Sequence, residues 1–195
     1  MSYPSDSSPP TSNAIQRVAF ALRTTGWVCF WTQLVLAVVS AVIQLFAIFA
    51  FNPGRTAQPG TTSGMGGGLV FALIGLGILG FSIFQAFRYT RLARRLKAPG
   101  MARPSRAETM KQIRLGLTSN LSGMAVTLIA SEAINGILLA KAISQPRNFL
   151  ATAGSLQDFI QPVDFFVVLA NTHTIVAHFV GIVAALWLMR EIYKN

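Results

Sequence analysis

RYTRLARRLKAPGMARPSRAETMKQIR, residues 88–114, decides how the rest of the chain is read. It holds nine of the sixteen Lys and Arg residues against one acid, Glu108. A run so charged stays in water, yet it lies between long apolar blocks. Two precede it, Gly26 to Phe51 and Met65 to Phe87, and two follow it, Leu115 to Ile143 and Phe165 to Met189. Each exceeds the roughly 20 residues a helix needs to cross about 30 Å of hydrocarbon. The expected fold class is all-α, an integral membrane protein with four transmembrane helices. The four form two helical hairpins joined by the basic loop 88–114.

Composition agrees with that class. Of 195 residues, 52% are apolar and 11% charged, against about 25% charged in an ordinary soluble domain. The net charge of +10 does not point to nucleic acid, because most of the cations sit between spans rather than on one folded face. They report topology. Arg17, Arg23, the nine loop cations, Arg190 and Lys194 fall on one side, and only Arg55, Lys141 and Arg147 lie near the other. By the positive-inside rule both termini are expected on the cytoplasmic side. The single cysteine, Cys29, lies within the first span and supports neither a disulfide framework nor a cysteine metal site.

Outside the spans, residues 1–13 read as a disordered tail of Ser, Pro and Asn, without the charged n-region of a secretory signal. Residues 14–25 place Ile15, Val18, Ala19 and Leu22 on one stripe, which predicts an amphipathic helix lying at the headgroup boundary. The transmembrane domain then covers 26–195. Within the basic loop, 88–97 continues span two, Pro99-Gly100 ends it, and Ser105 to Glu108 form a capping box for the next helix. Arg88, Arg91, Arg94, Arg95, Lys97, Arg103 and Arg106 are the candidates for docking an acidic partner or anionic lipid. Ser155 is expected to cap a short interfacial helix ahead of span four, and Asp158 and Asp164 to be interfacial caps rather than gates.

Polar residues inside the spans are the candidate site. Gln33, Ser40 and Gln44 in span one read as interhelical glue. Gly64, Gly68 and Ala72 in span two, and Ala177, Gly181 and Ala185 in span four, are small-residue ladders for close helix packing. In span three Asn120, Gly123, Thr127, Ser131 and Asn135 fall within about 120° of one another, with Glu132 roughly 60° beyond Asn135. A carboxylate inside a span must face protein or water. Span four holds Asn171, Thr174 and His178 on one face, with His173 about 140° from His178. If spans three and four are antiparallel neighbours, Glu132 can meet His173 and Asn135 can lie near Asn171. That set suits a first-row divalent ion or a proton relay, with His178 and Glu132 as the metal candidates. Nothing forms a nucleophile, base and orienter set, and no nucleotide motif is present, so an enzyme is not expected.

Several stretches together resemble one family. Gly26-Trp27, Phe30-Trp31, Gln33-Leu34-Val35 and Val39 to Ile43 in span one are similar to the chloroplast inner-envelope proteins known as Tic twenty-one or permease in chloroplasts, with their cyanobacterial relatives. The similarity continues through Tyr89, Arg91-Leu92, Arg95-Leu96, Arg106-Ala107, Lys111, Arg114 and Gly116 to His178-Phe179 and Gly181. The resemblance implies a four-helix membrane protein assigned both to iron transport and to the protein-import translocon. It carries over His178. At the positions of Glu132 and His173 the plant members have amides, which leaves His178 the better candidate.

The expected function is therefore a permease-like role in metal-ion transport or homeostasis, with iron or manganese bound only in transit and no permanent cofactor. The alternative is a non-enzymatic subunit or assembly scaffold of a larger membrane complex, such as a translocon or a photosynthetic assembly intermediate. Expected partners are the lipid bilayer and either copies of itself or that complex, without nucleic acid. The N-terminus lacks an Arg- and Ser-rich transit peptide, which favours a cyanobacterial-type plasma or thylakoid membrane.

Overall fold

The computed structural model describes residues 10–50, 63–97, 104–144 and 160–194. Among these residues are four long helices, α1 (Pro10–Ala50), α2 (Ser63–Leu96), α3 (Arg106–Ser144) and α4 (Pro162–Lys194). All four are long and apolar enough to cross a membrane. They form a ring in which α1 packs on α2 and α4, and α3 packs on the same two, with α2 and α4 touching across the shorter diagonal. Sequential helices run antiparallel. Gly26 of α1 meets Ala86, Tyr89 and Thr90 of α2, and Gly68 of α2 meets Ala130 and Ile134 of α3. Asn120 of α3 meets Gly181 of α4.

Asp164, Val167, Asn171, Thr174, His178, Gly181, Ala185, Leu188 and Ile192 of α4 are buried and alternate by three and four residues, with Ala170, Ala177 and Ala184 buried beside them. In α3, Ile113, Gly116, Asn120, Gly123, Thr127, Ala130 and Ile134 repeat in the same way, as do Gly68 to Leu96 in α2. A sustained 3.5-residue repeat is the knobs-into-holes pattern of a helix bundle. Here many of the knobs are polar or very small. Of the expected ladders, Gly68 and Ala72 in α2 and Ala177, Gly181 and Ala185 in α4 are buried, and Gly64 falls outside the residues whose burial is described.

Helix ends follow local chemistry. Ser105 Oγ accepts the Glu108 amide N–H at 3.1 Å, as a capping Ser should, and Arg94 and Arg95 occupy the last turn of α2, where cations suit the helix dipole. At the other end of the bundle Asp164 is fully buried in the first turn of α4. Its Oδ2 accepts the Gln161 amide at 2.9 Å and lies 3.5 Å from Lys141 Nζ, tying the end of α3 to the start of α4. Asp164 is thus the cap that its position suggested.

One expectation changes. Residues 14–25 do not form a separate helix along the headgroups; they are the first turns of an unbroken α1. Ala19 and Leu22 are fully buried in an apolar cluster with Leu92, Leu96, Ile113, Leu188 and Ile192. The physical reason is that α2, α3 and α4 extend alongside this part of α1, so the stripe meets protein. The Ser155 cap, Asp158, Arg55, Arg103, Arg147 and residues 1–9 of the N-terminal tail lie outside the described residues, whereas residues 10–13, expected in that disordered tail, form the first turn of α1.

Candidate functional site

The bundle interior holds a hydrogen-bonded polar layer to which every helix contributes. From α1, Gln33 Nε2 donates to Asn120 Oδ1 at 2.8 Å and to the Ala177 carbonyl at 3.0 Å. From α3, Asn120 Nδ2 donates to the Gly116 carbonyl at 2.8 Å, which turns its Oδ1 toward Gln33 and His178. From α4, His178 places Nδ1 3.3 Å from Asn120 Oδ1 and Nε2 3.3 Å from the Gly75 carbonyl of α2. Both ring nitrogens therefore face oxygen. A neutral imidazole has one N–H, so it donates to one of them and turns a lone pair toward the other.

Two glycines make the layer possible. A Cβ at Gly123 would collide with the His178 ring, and one at Gly181 would collide with the Asn120 amide. The arrangement is reciprocal: Asn120 and Gly123 on α3 face His178 and Gly181 on α4, three residues apart on each helix. Each polar side chain lies on the partner helix's glycine. Gly123 is nine residues from Arg114, the last cation before the apolar run of α3, or about 13–14 Å of helix, which is close to half of the roughly 30 Å of a hydrocarbon core.

A second set continues outward from it. Ser40 Oγ donates to the Ala170 carbonyl at 2.8 Å, and Asn171 Nδ2 donates to the Thr127 carbonyl at 3.0 Å. Thr174 and Thr127 turn their hydroxyls to the carbonyls four residues back in their own helices. Toward the basic end Ser82 pairs with Ser119 at 2.8 Å, and Gln112 donates to Gln85 at 3.1 Å. Gln33 Oε1, both polar atoms of Gln44 and Asn171 Oδ1 are buried without a partner among the described residues.

The expected candidates thus separate. His178, Asn171 and Thr174 are buried, as their shared face predicted. Glu132 and Asn135 are exposed on the outside of the bundle, and Asn135 Nδ2 reaches only Ser131 Oγ, at 3.4 Å. The expected meetings of Glu132 with His173 and of Asn135 with Asn171 do not occur. Asn171 and His178 lean on α3, whereas His173 lies on the opposite flank of α4, half-buried, with Nδ1 buried and unpartnered among the described residues. Nor do His178 and Glu132 form one metal site, being nine residues apart in level along α3, about 13–14 Å. Among the described residues no group of three His, Cys, Asp or Glu side chains could hold a metal ion together.

The basic residues divide as well. Arg106 donates to the Ile192 carbonyl at 2.8 Å and lies over the Tyr193 ring, so it closes the end of α4 rather than waiting for a partner. Arg88 and Arg91 lie over Phe84 and Phe87, and Arg94, Arg95 and Lys97 are exposed to water. Gln33 and Asn120 are the residues that sequence reasoning left apart from His178. The signal that joins them is the 3.5-residue repeat, in which Gln33, Asn120 and His178 all occupy seam positions.

Fold and site together define a multi-pass membrane protein, a four-helix bundle with a polar seam. The chain matches the family described as "Protein of unknown function (DUF3611)" over residues 12–193. It is 32% identical over 209 aligned positions to "Protein TIC 21, chloroplastic" of Arabidopsis thaliana, an alignment covering 98% of this chain and 67% of that protein. The chain belongs to this Tic21 family. No solved structure matches it.

Proposed function

We propose that the protein is a permease-like subunit that carries a first-row divalent ion, iron or manganese, across a cyanobacterial-type plasma or thylakoid membrane. In this reading it has both termini on the cytoplasmic side and no catalytic chemistry. The observation that carries the proposal is the outward face of α3. Thr118, Ser122, Ala125, Glu132 and Gly136 are all exposed and lie within about 80° of one another around the helix, a sector they share with exposed Ile129 and Ile143. The outward face of α1 instead carries Val35, Val38, Val42, Leu45 and Phe46. An exposed carboxylate within an apolar span, with small and hydroxyl residues along its face, is unsuited to lipid and suited to a path between copies of the chain. The bundle interior is not that path in this reading, since His178, Asn120 and Gln33 are packed into one hydrogen-bonded layer that includes backbone carbonyls of α2, α3 and α4.

Uptake of radioactive iron and manganese by proteoliposomes holding only this protein tests the reading. Saturable uptake abolished by Glu132→Gln, with His178→Gln lowering it only as far as it lowers the folded yield, is expected. No uptake above empty vesicles, with folded protein confirmed, overturns it.

A scaffold role is the second reading, favoured by the exposed Arg94, Arg95, Lys97 and Lys111 at the water end. Reversing those four charges should remove co-purifying acidic partners while leaving insertion intact; unchanged partners would count against it.

A further inference from the structure

We propose that the outer surface where α1 meets α2, at the basic boundary of the membrane, is a binding site for an anionic phospholipid. Four aromatic rings form one cluster there. Trp27 and Trp31 stack at 6.2 Å, Phe30 meets both edge-on at 5.9 and 5.5 Å, and Phe87 of α2 lies 5.9 Å from Phe30. The Arg91 guanidinium sits 5.0 Å above the Phe87 ring, and Arg88 sits 6.0 Å from Phe84 one turn closer to the membrane.

The geometry has a direction. Each guanidinium is drawn back along α2 toward the apolar face instead of extending into water, and the ring beneath it holds that orientation. Both arginines are exposed, and among the described residues neither has a carboxylate or carbonyl partner. Among the described residues nothing takes up their N–H groups, which keep the planar, forked arrangement that matches a phosphate. Below them Phe84 and Trp31 are exposed, as groups lying against acyl chains would be. The pairing of unneutralised guanidiniums with exposed aromatic surface at one level fits a molecule that is anionic at the head and apolar below it. An acidic protein segment would match only the first half.

The native tryptophans allow a direct test. In a Trp187→Phe background the remaining fluorescence comes from Trp27 and Trp31, both in the cluster. The protein is placed in phosphatidylcholine nanodiscs containing a fixed fraction of either brominated-chain phosphatidylglycerol or brominated-chain phosphatidylcholine. Because a nearby cation favours an anionic headgroup by about fivefold, the brominated anionic lipid should quench at about fivefold or more lower abundance. Arg88→Gln with Arg91→Gln should bring the two lipids to parity, and Arg95→Gln, farther into water, should leave the preference in place. Equal quenching in the unaltered arginine background overturns the site without recourse to any variant. A preference that survives the double substitution, or falls equally with Arg95→Gln, also overturns it, because the attraction would then be the general charge of this end.

Discussion

At its basic end the bundle is built like a protein in water, and a few turns along it is built the other way round. Leu22, Leu92, Leu96, Ile113, Leu188 and Ile192 are inside at the first place, and Arg17, Arg94, Arg95, Lys97 and Lys111 are outside. At the second, Gln33, Asn120, Thr127, Thr174 and His178 are inside, and Val35, Phe81, Leu121 and Phe179 are outside. The same four helices and the same 3.5-residue seam run through both. What changes is the solvent. Water drives apolar side chains together, whereas lipid chains are as apolar as leucine and give helices no such reason to associate. In the membrane the helices are held instead by close backbone approach over glycine and by hydrogen bonds between polar knobs.

The largest expected effect comes from attacking the water end by its own rule. Leu188→Ala should destabilise the bundle by about 2–5 kcal/mol, as a core truncation does, measured by reversible unfolding in mixed micelles; a change near zero would show that this end is not a packed core. Next, the outer surfaces should obey opposite rules. Val35→Arg should lower membrane insertion by about 2.5–3.5 kcal/mol, while Arg95→Val should change stability by no more than about 0.5 kcal/mol. An insertion assay on both variants checks the contrast, and similar values for the two would erase it.

The third expectation concerns fit within the polar layer. Gly123→Ala should cost about 1–3 kcal/mol, because the added Cβ enters the space of the His178 ring. Its effect should appear together with a changed His178 imidazole resonance in nitrogen NMR, and an unmoved resonance would place the ring elsewhere. The smallest effect should be Ser40→Ala. It removes one interhelical hydrogen bond to Ala170, and membrane hydrogen bonds average about 0.6 kcal/mol. A loss several times larger would make the seam's bonds, rather than its close packing, the main source of stability.

Much of this was legible in the linear chain. The four spans, the basic end, the Ser105 cap and the small-residue ladders depend on local composition, and each stands where it was expected. The angular sector of α3 was read correctly from Asn120 to Thr127 and then misled: over so long a helix a 3.6-residue face drifts away from a 3.5-residue seam, and Ser131 and Asn135 drift out with it. Residues 14–25 misled for a different reason. An apolar stripe looks the same whether it lies on a headgroup layer or on three neighbouring helices.

The sequence by itself determined how many times the chain can cross a membrane and where its charge collects, because hydrophobic length and charge are properties of a single helix. Only the tertiary structure decided that His178 belongs with Gln33, Asn120 and the Gly75 carbonyl, and that Glu132 faces away from them. In hydrocarbon a polar residue must find a partner, but its own helix does not say which one. That choice was made by the register of four helices against one another, set by glycines and polar knobs on separate segments of the chain.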